Sequence, residues 1–115
     1  MKIVNLMPHD LTLIDPATGK IVLDQRSAGL VRVSQTCITI GSIDLDSHSV
    51  PVVEYDYQGL VGLPPKVNDT AYVVSLIAAQ AAAKQHPDRD DIYIPADLVR
   101  DNDGNIIGAY SLAVV

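Results

Sequence analysis

Along most of the chain, polar and apolar positions either alternate or gather in short apolar runs, the pattern of strands. "KIVNLM" (Lys2 to Met7) is a short apolar run that reads as a strand. "LTLI" and "KIVLD" flank Asp15-Pro16-Ala17-Thr18-Gly19, where Pro presets φ and Gly admits a positive φ, so the two runs form a hairpin. From Leu30 to Ile43, Leu30, Arg32 and Ser34 take one side, and Val31, Val33 and Gln35 the other. This predicts one bent strand or two, half buried. "DLDSHS" reads as a polar loop. "VPVVEYDYQGLVGLP" reads as a further strand pair, with Glu54, Asp56 and Gln58 alternating with Tyr55 and Tyr57, so one face is wet. "GLPPKVND" is a connector, because Pro64 and Pro65 do not fit a central strand.

The pattern then changes once. "TAYVVS" (Thr70 to Ser75) is a continuous, β-branched strand run that leads straight into "LIAAQAAAKQH", the one segment that reads as a helix. Ala is the best helix former. Lys84 and His86 sit in its last turn, where they complement the helix dipole, and Pro87 stops it. "DIYIPA" is a strand, and "LVRDNDGNIIGAYSLAVV" is a hairpin around Asn102-Asp103-Gly104-Asn105. The sum is roughly seven to nine strands and one helix. A single helix cannot cover both faces of a parallel sheet. The expected fold is therefore α+β: a mainly antiparallel sheet of short strands and hairpins, with the Ala-rich helix packed on one face.

Composition narrows the function. At 115 residues the chain reads as a single domain spanning 1–115. With no Phe, no Trp and five Tyr, its core is built from Val, Ile, Leu and Ala. The net charge is −6 and the eight Lys and Arg are spread singly, which argues against direct nucleic-acid binding. No apolar stretch approaches the length of a membrane span. "MKIVNLMPHD" lacks the organisation of a signal peptide. Cys37, the only cysteine, reads as a small buried hydrophobe in "CITI". Together these predict a cytoplasmic protein.

Few residues carry chemistry. Ser75 lies at a strand-to-helix junction, where some hydrolases hold a nucleophile. A nucleophile elbow needs Gly two positions before and after, and here Val73 and Ile77 stand there. Ser75 therefore reads as a helix N-cap whose hydroxyl accepts a backbone N–H, while the helix start still offers free N–H groups to an anion. His9, after Pro8 at a strand end, is a possible general base, though a turn histidine is usually solvated. His48 falls in a polar loop, and His86 serves the helix C-terminus. "HPDRDD" is a poor metal set because Arg89 competes, and "RDNDGN" lacks the Glu of a calcium loop. No metal or cofactor is expected.

The segments "NLMPHDLTL", "GLVGLPP", "TAYVVSLIAAQAA", "RDDIYIPADLVRD" and "DGNIIGAYSL", in that order, resemble a family of small single-domain proteins of bacterial genomes and phages. Its pattern reads Asn-x-x-Pro-His, Gly-Leu-Pro, Thr-x-Tyr-Ile-Val-Ser, Arg-x-Asp and Val-Arg-Asp-x-x-Gly. The resemblance covers nearly the whole chain, with Val73 in place of the pattern's Ile, and points to Asn5, Pro8, His9, Tyr72, Ser75, Arg89 and Arg100 among others. It implies no activity; phage occurrence invites a role in a virus–host contest. The favoured expectation is a non-catalytic binding module that counters host defence by sequestering a small anionic, nucleotide-like ligand, with His9, Tyr72, Ser75, Arg89 and Arg100 as the ligand-binding set. Alternatives are an inhibitor docking on a basic surface of a host protein, a small hydrolase using His9 and Ser75, and a structural subunit. A homo-oligomer is expected, through the edges at "KIVNLM" or "SLAVV" or through the Tyr face.

Overall fold

A computed structural model describes the backbone of residues 1–115 and all side chains except those of Tyr57 and Gln58. The expectation of a Tyr face rests partly on Tyr57, and to that extent lies outside the described residues. Eight strands and one helix follow in order: β1 (Lys2–Asn5), β2 (Leu11–Ile14), β3 (Ile21–Gln25), β4 (Arg32–Leu45), β5 (His48–Val61), β6 (Thr70–Val73), α1 (Leu76–Gln85), β7 (Ile92–Arg100) and β8 (Ile106–Ala113). Six strands form one sheet in the order β1-β6-β7-β8-β2-β3, and β4 and β5 form a separate two-stranded sheet. The fold is a sheet-rich α+β arrangement.

The main sheet is mixed: its antiparallel ladders are joined by parallel pairs that the sequence reading did not foresee. β1 with β6, β6 with β7 and β8 with β2 are parallel, while β7–β8 and β2–β3 are antiparallel hairpins. The β6–α1–β7 segment explains one parallel pair, since adjacent parallel strands need a crossover and α1 supplies it. The other two join strands far apart in sequence, Ile3 opposite Ala71 and Leu13 opposite Ala109. Pro95 is tolerated because β6 pairs with β7 only at Ile92 and Tyr93.

Strand alternation sorts the core. Tyr72 and Val74 join Leu6, Val31 and Ile92 in one buried cluster, and the small face of α1 (Ala78, Ala79, Ala82) belongs to it. Val73, pointing the other way, joins Met7 and Leu11 in a second. Between them Asn5 is fully enclosed. Its Nδ2 donates to the His9 carbonyl at 2.9 Å and the Gln25 carbonyl at 3.2 Å, and its Oδ1 accepts the Met7 N–H at 3.0 Å. One amide thus fixes the β1–β2 turn.

β4 and β5 make an arm of two fourteen-residue strands. The segment read as the polar loop "DLDSHS" is its end: Leu45 pairs with His48, and Asp46, at φ 53°, opens the two-residue turn. The segment read as a strand pair after it is the single strand β5. Most of β4 is exposed rather than half buried, Cys37 included. The arm stretches the molecule to 56 × 39 × 21 Å, with a radius of gyration of 17.8 Å. A compact chain of this length would have about 13 Å.

Candidate functional site

A groove of about 940 Å³ runs between the start of α1, the β1–β2 turn and the β7–β8 hairpin. Its polar rim is His9, Asp10, Thr12 and Ser75. Its apolar lining includes Leu76, Leu98, Ile106 and Ile107, each about half exposed. Such a surface on one wall is more than scattered surface hydrophobes.

Local chemistry builds each part. The Asn5 clamp holds the His9 backbone, leaving the ring exposed, with Nδ1 3.0 Å from the Asp10 carbonyl. β8 comes close to β2 because residue 108 is Gly: a Cβ there would meet Ile14 Cδ1 at 2.7 Å and the Thr12 carbonyl at 3.1 Å. The approach sets Thr12 on the same rim.

Ser75 occupies the N-cap position, with φ −69° and ψ 160°, and its carbonyl accepts the first helical bond from Ala79. The expected side-chain cap is absent, because the hydroxyl makes no capping hydrogen bond. No acidic residue stands in the first turn. The leading N–H groups and the positive end of the helix are therefore satisfied by neither a cap nor a carboxylate.

Of the five residues singled out by sequence, His9 and Ser75 converge on the groove. The other three lie elsewhere. Tyr72 is buried, its hydroxyl donating to the Pro65 carbonyl at 3.2 Å, which ties the 62–69 connector to β6. Arg89 is closed into a bidentate pair with Asp91, at 2.8 and 3.1 Å, with side chains only 14% and 5% exposed. The hydrogen bond to Asp91 raises the Arg89 pKa further above its ordinary value. Arg100 donates to the Gly104 carbonyl at 2.7 Å and stiffens the β7–β8 turn. Both guanidinium groups thus have partners within five residues.

No hydrogen bond joins His9 to Ser75 among the described residues, so the pair does not form a nucleophile and base in this state. Nor, among those residues, does any group of three or more His, Cys, Asp or Glu come together to hold a metal. No helix is long and apolar enough to cross a membrane. Sequence reasoning missed the hydrophobic wall. The consecutive Ile106-Ile107 breaks the alternation of β8, and that break was its signal. The signal for Asn5 was one polar residue inside an apolar run. The chain matches no protein-family model, no curated protein and no solved structure.

Proposed function

We propose that the protein is a non-catalytic binding protein whose groove takes a small amphipathic anion of nucleotide type. The observation that carries this reading is the meeting of an unsatisfied helix start with an exposed aliphatic wall. An anionic group sits at the first turn of α1, beside His9 and Ser75, where N–H donors and the helix dipole favour negative charge. A flat, less polar body lies on Leu98, Ile106 and Ile107. Asp10 and Thr12 accept hydrogen bonds from amino or hydroxyl groups of the ligand. The volume falls within the usual range of ligand pockets, about 300–1,000 Å³. In this reading α1 packs on one face of the main sheet and holds its N-terminus toward the groove; the buried Ala78, Ala79 and Ala82 support that. A role in sequestering a host signal rests on the family resemblance alone.

A thermal-shift and calorimetric screen of nucleotides and small phosphorylated metabolites tests the reading. At least one compound is expected to stabilise the wild type. Ile106→Glu, which puts a carboxylate on the apolar wall, is expected to abolish the shift. His9→Ala is expected to weaken binding roughly tenfold, the scale of one lost charge-assisted hydrogen bond. Arg89→Ala and Arg100→Ala are expected to bind as the wild type once their stability is allowed for. The proposal fails if no anion shifts the melt, or if Ile106→Glu binds as well as the wild type.

A further inference from the structure

The polar groups of the groove are sorted by kind, and the sorting narrows what it takes. On the β2 side the side chains offer acceptors. Thr12 Oγ1 lies 3.2 Å from Asp24 Oδ1. An ionised carboxylate only accepts, so the Thr12 hydroxyl donates its one proton there and keeps its lone pairs for a ligand. Asp10 adds a second acceptor to the same rim. Towards α1 the side chains offer donors. The Ser75 hydroxyl is not spent on a cap. His9 Nδ1 lies 3.0 Å from the Asp10 carbonyl, which accepts and cannot donate. Nδ1 therefore carries a proton, and Nε2 is the nitrogen left for a ligand, a donor once the ring is an imidazolium.

Charge is the second constraint. Among the described residues that line the groove there is no Lys or Arg, and Asp10 and His9 are the ionisable ones. An imidazolium at His9 is cancelled by Asp10. What remains is the helix start, worth about half a positive charge. That suits one negative charge and leaves a second without a partner, with Asp24 behind Thr12 repelling it further.

Resting on the reading of the groove as a nucleotide-type site, we infer that its ligand class is the singly charged phosphodiester of a nucleoside with an amino-bearing base, and that Asp10 sets the preference for one charge. The diester lies at the donor end, the base crosses Leu98, Ile106 and Ile107, and its amino group donates to Asp10 and Thr12. A phosphate monoester takes a second charge above a pKa of about 6, and a triphosphate carries more. A base with a carbonyl in place of the amino group sets acceptor against acceptor.

Calorimetry on the full chain with cyclic AMP, AMP, ATP and cyclic IMP tests this. At about pH 8, where AMP is doubly charged, the wild type is expected to bind cyclic AMP roughly tenfold more tightly than AMP, the scale of one like charge at a partly solvated rim, and ATP more weakly still. At about pH 5.5, where AMP is mostly singly charged, that ratio is expected to close; as a ratio it cancels the titration of His9. Asp10→Asn is expected to bring the ratio at about pH 8 below about threefold. Cyclic AMP is expected to bind roughly tenfold more tightly than cyclic IMP, and Thr12→Val to shrink that gap while leaving the charge preference in place. A wild type that binds AMP or ATP at high pH as tightly as cyclic AMP, with Ile106→Glu abolishing the binding, overturns the inference and leaves the groove reading standing. An unchanged ratio in Asp10→Asn overturns the role given to Asp10, and equal binding of cyclic IMP overturns the choice of base. A wild type that binds none of the four overturns the ligand class outright, and the broader screen of anions then decides the groove reading by itself.

Discussion

The molecule contains two long hairpins of similar local chemistry and opposite fate. β7–β8, of nine and eight residues, lies inside the main sheet with β6 on one flank and β2 on the other. β4–β5, longer by about two thirds, pairs with no other strand and meets the body only at its base, where α1 approaches it and Leu60 packs on the first core cluster. Both turns are built on Asp. Asp101 Oδ1 accepts the N–H groups of Asp103 and Asn105, each at 2.9 Å, and Asp46 adopts the positive φ that reverses the arm. Turn and alternation therefore make a hairpin in either place. What separates them is tertiary cover: the inner hairpin finds it on both flanks, and the arm finds it only at its base.

The sharpest way to break the comparison is to remove what supports the body alone. Asn5→Ala leaves one buried N–H and two carbonyls without their partner. At about 1–3 kcal/mol for a buried unsatisfied group, the loss is expected to reach about 3–4 kcal/mol, measured by denaturant unfolding. The β7–β8 amides should lose protection by that full amount. If they do not, the inner hairpin does not depend on the body as argued.

Next in size is the root of the arm. Gly62 has φ +92°, and a Cβ there would stand 2.5 Å from the Leu30 carbonyl oxygen. Because that neighbour is backbone, relief means moving the chain segments that enter and leave the arm. Gly62→Ala is expected to cost about 2–3 kcal/mol. Exchange in β4 and β5 should rise while β7 and β8 change little. Equal loosening of both hairpins would show that they are one cooperative unit.

The smallest effects lie in the turns. Asp101→Ala removes an exposed acceptor of two N–H groups and is expected to cost about 1 kcal/mol. Asp46→Gly relieves a left-handed non-glycine residue, and its melting temperature should be unchanged or slightly higher. If Asp46→Gly destabilises as much as Asp101→Ala, the arm's turn contributes more than its backbone angle suggests.

Where structure is local, the sequence was readable. The β2–β3 hairpin, β6, the helix with Lys84 in its last turn, and the turn around Gly104 stand where neighbouring residues place them. The parallel pairs were not readable, because nothing near Ile3 names Ala71 and nothing near Leu13 names Ala109. "DLDSHS" misled for a related reason: its polar residues form the turn and polar side of a ribbon that leaves the body, and composition does not tell that from a loop. At the site, His9 and Ser75 stood out, but their convergence depends on the Asn5 clamp and on how β8 seats against β2. Arg89 was expected as a ligand contact. It pairs instead with Asp91, largely out of solvent, and burial is a long-range property that the Arg-Asp-Asp run does not state.

The order β1-β6-β7-β8-β2-β3 also has a consequence for the birth of the protein. β8 is the strand that joins β1-β6-β7 to β2-β3, and it is the last strand in the chain. During synthesis Leu13 of β2 waits for Ala109, its partner in β8. At about 5–20 residues per second the wait is on the order of five to twenty seconds. Until then the β2–β3 hairpin has no sheet to join, and the arm, made earlier, is already exposed. A ribosome that stalls before Ile106 therefore presents two unjoined fragments of sheet and a bare ribbon, the species most in need of a chaperone.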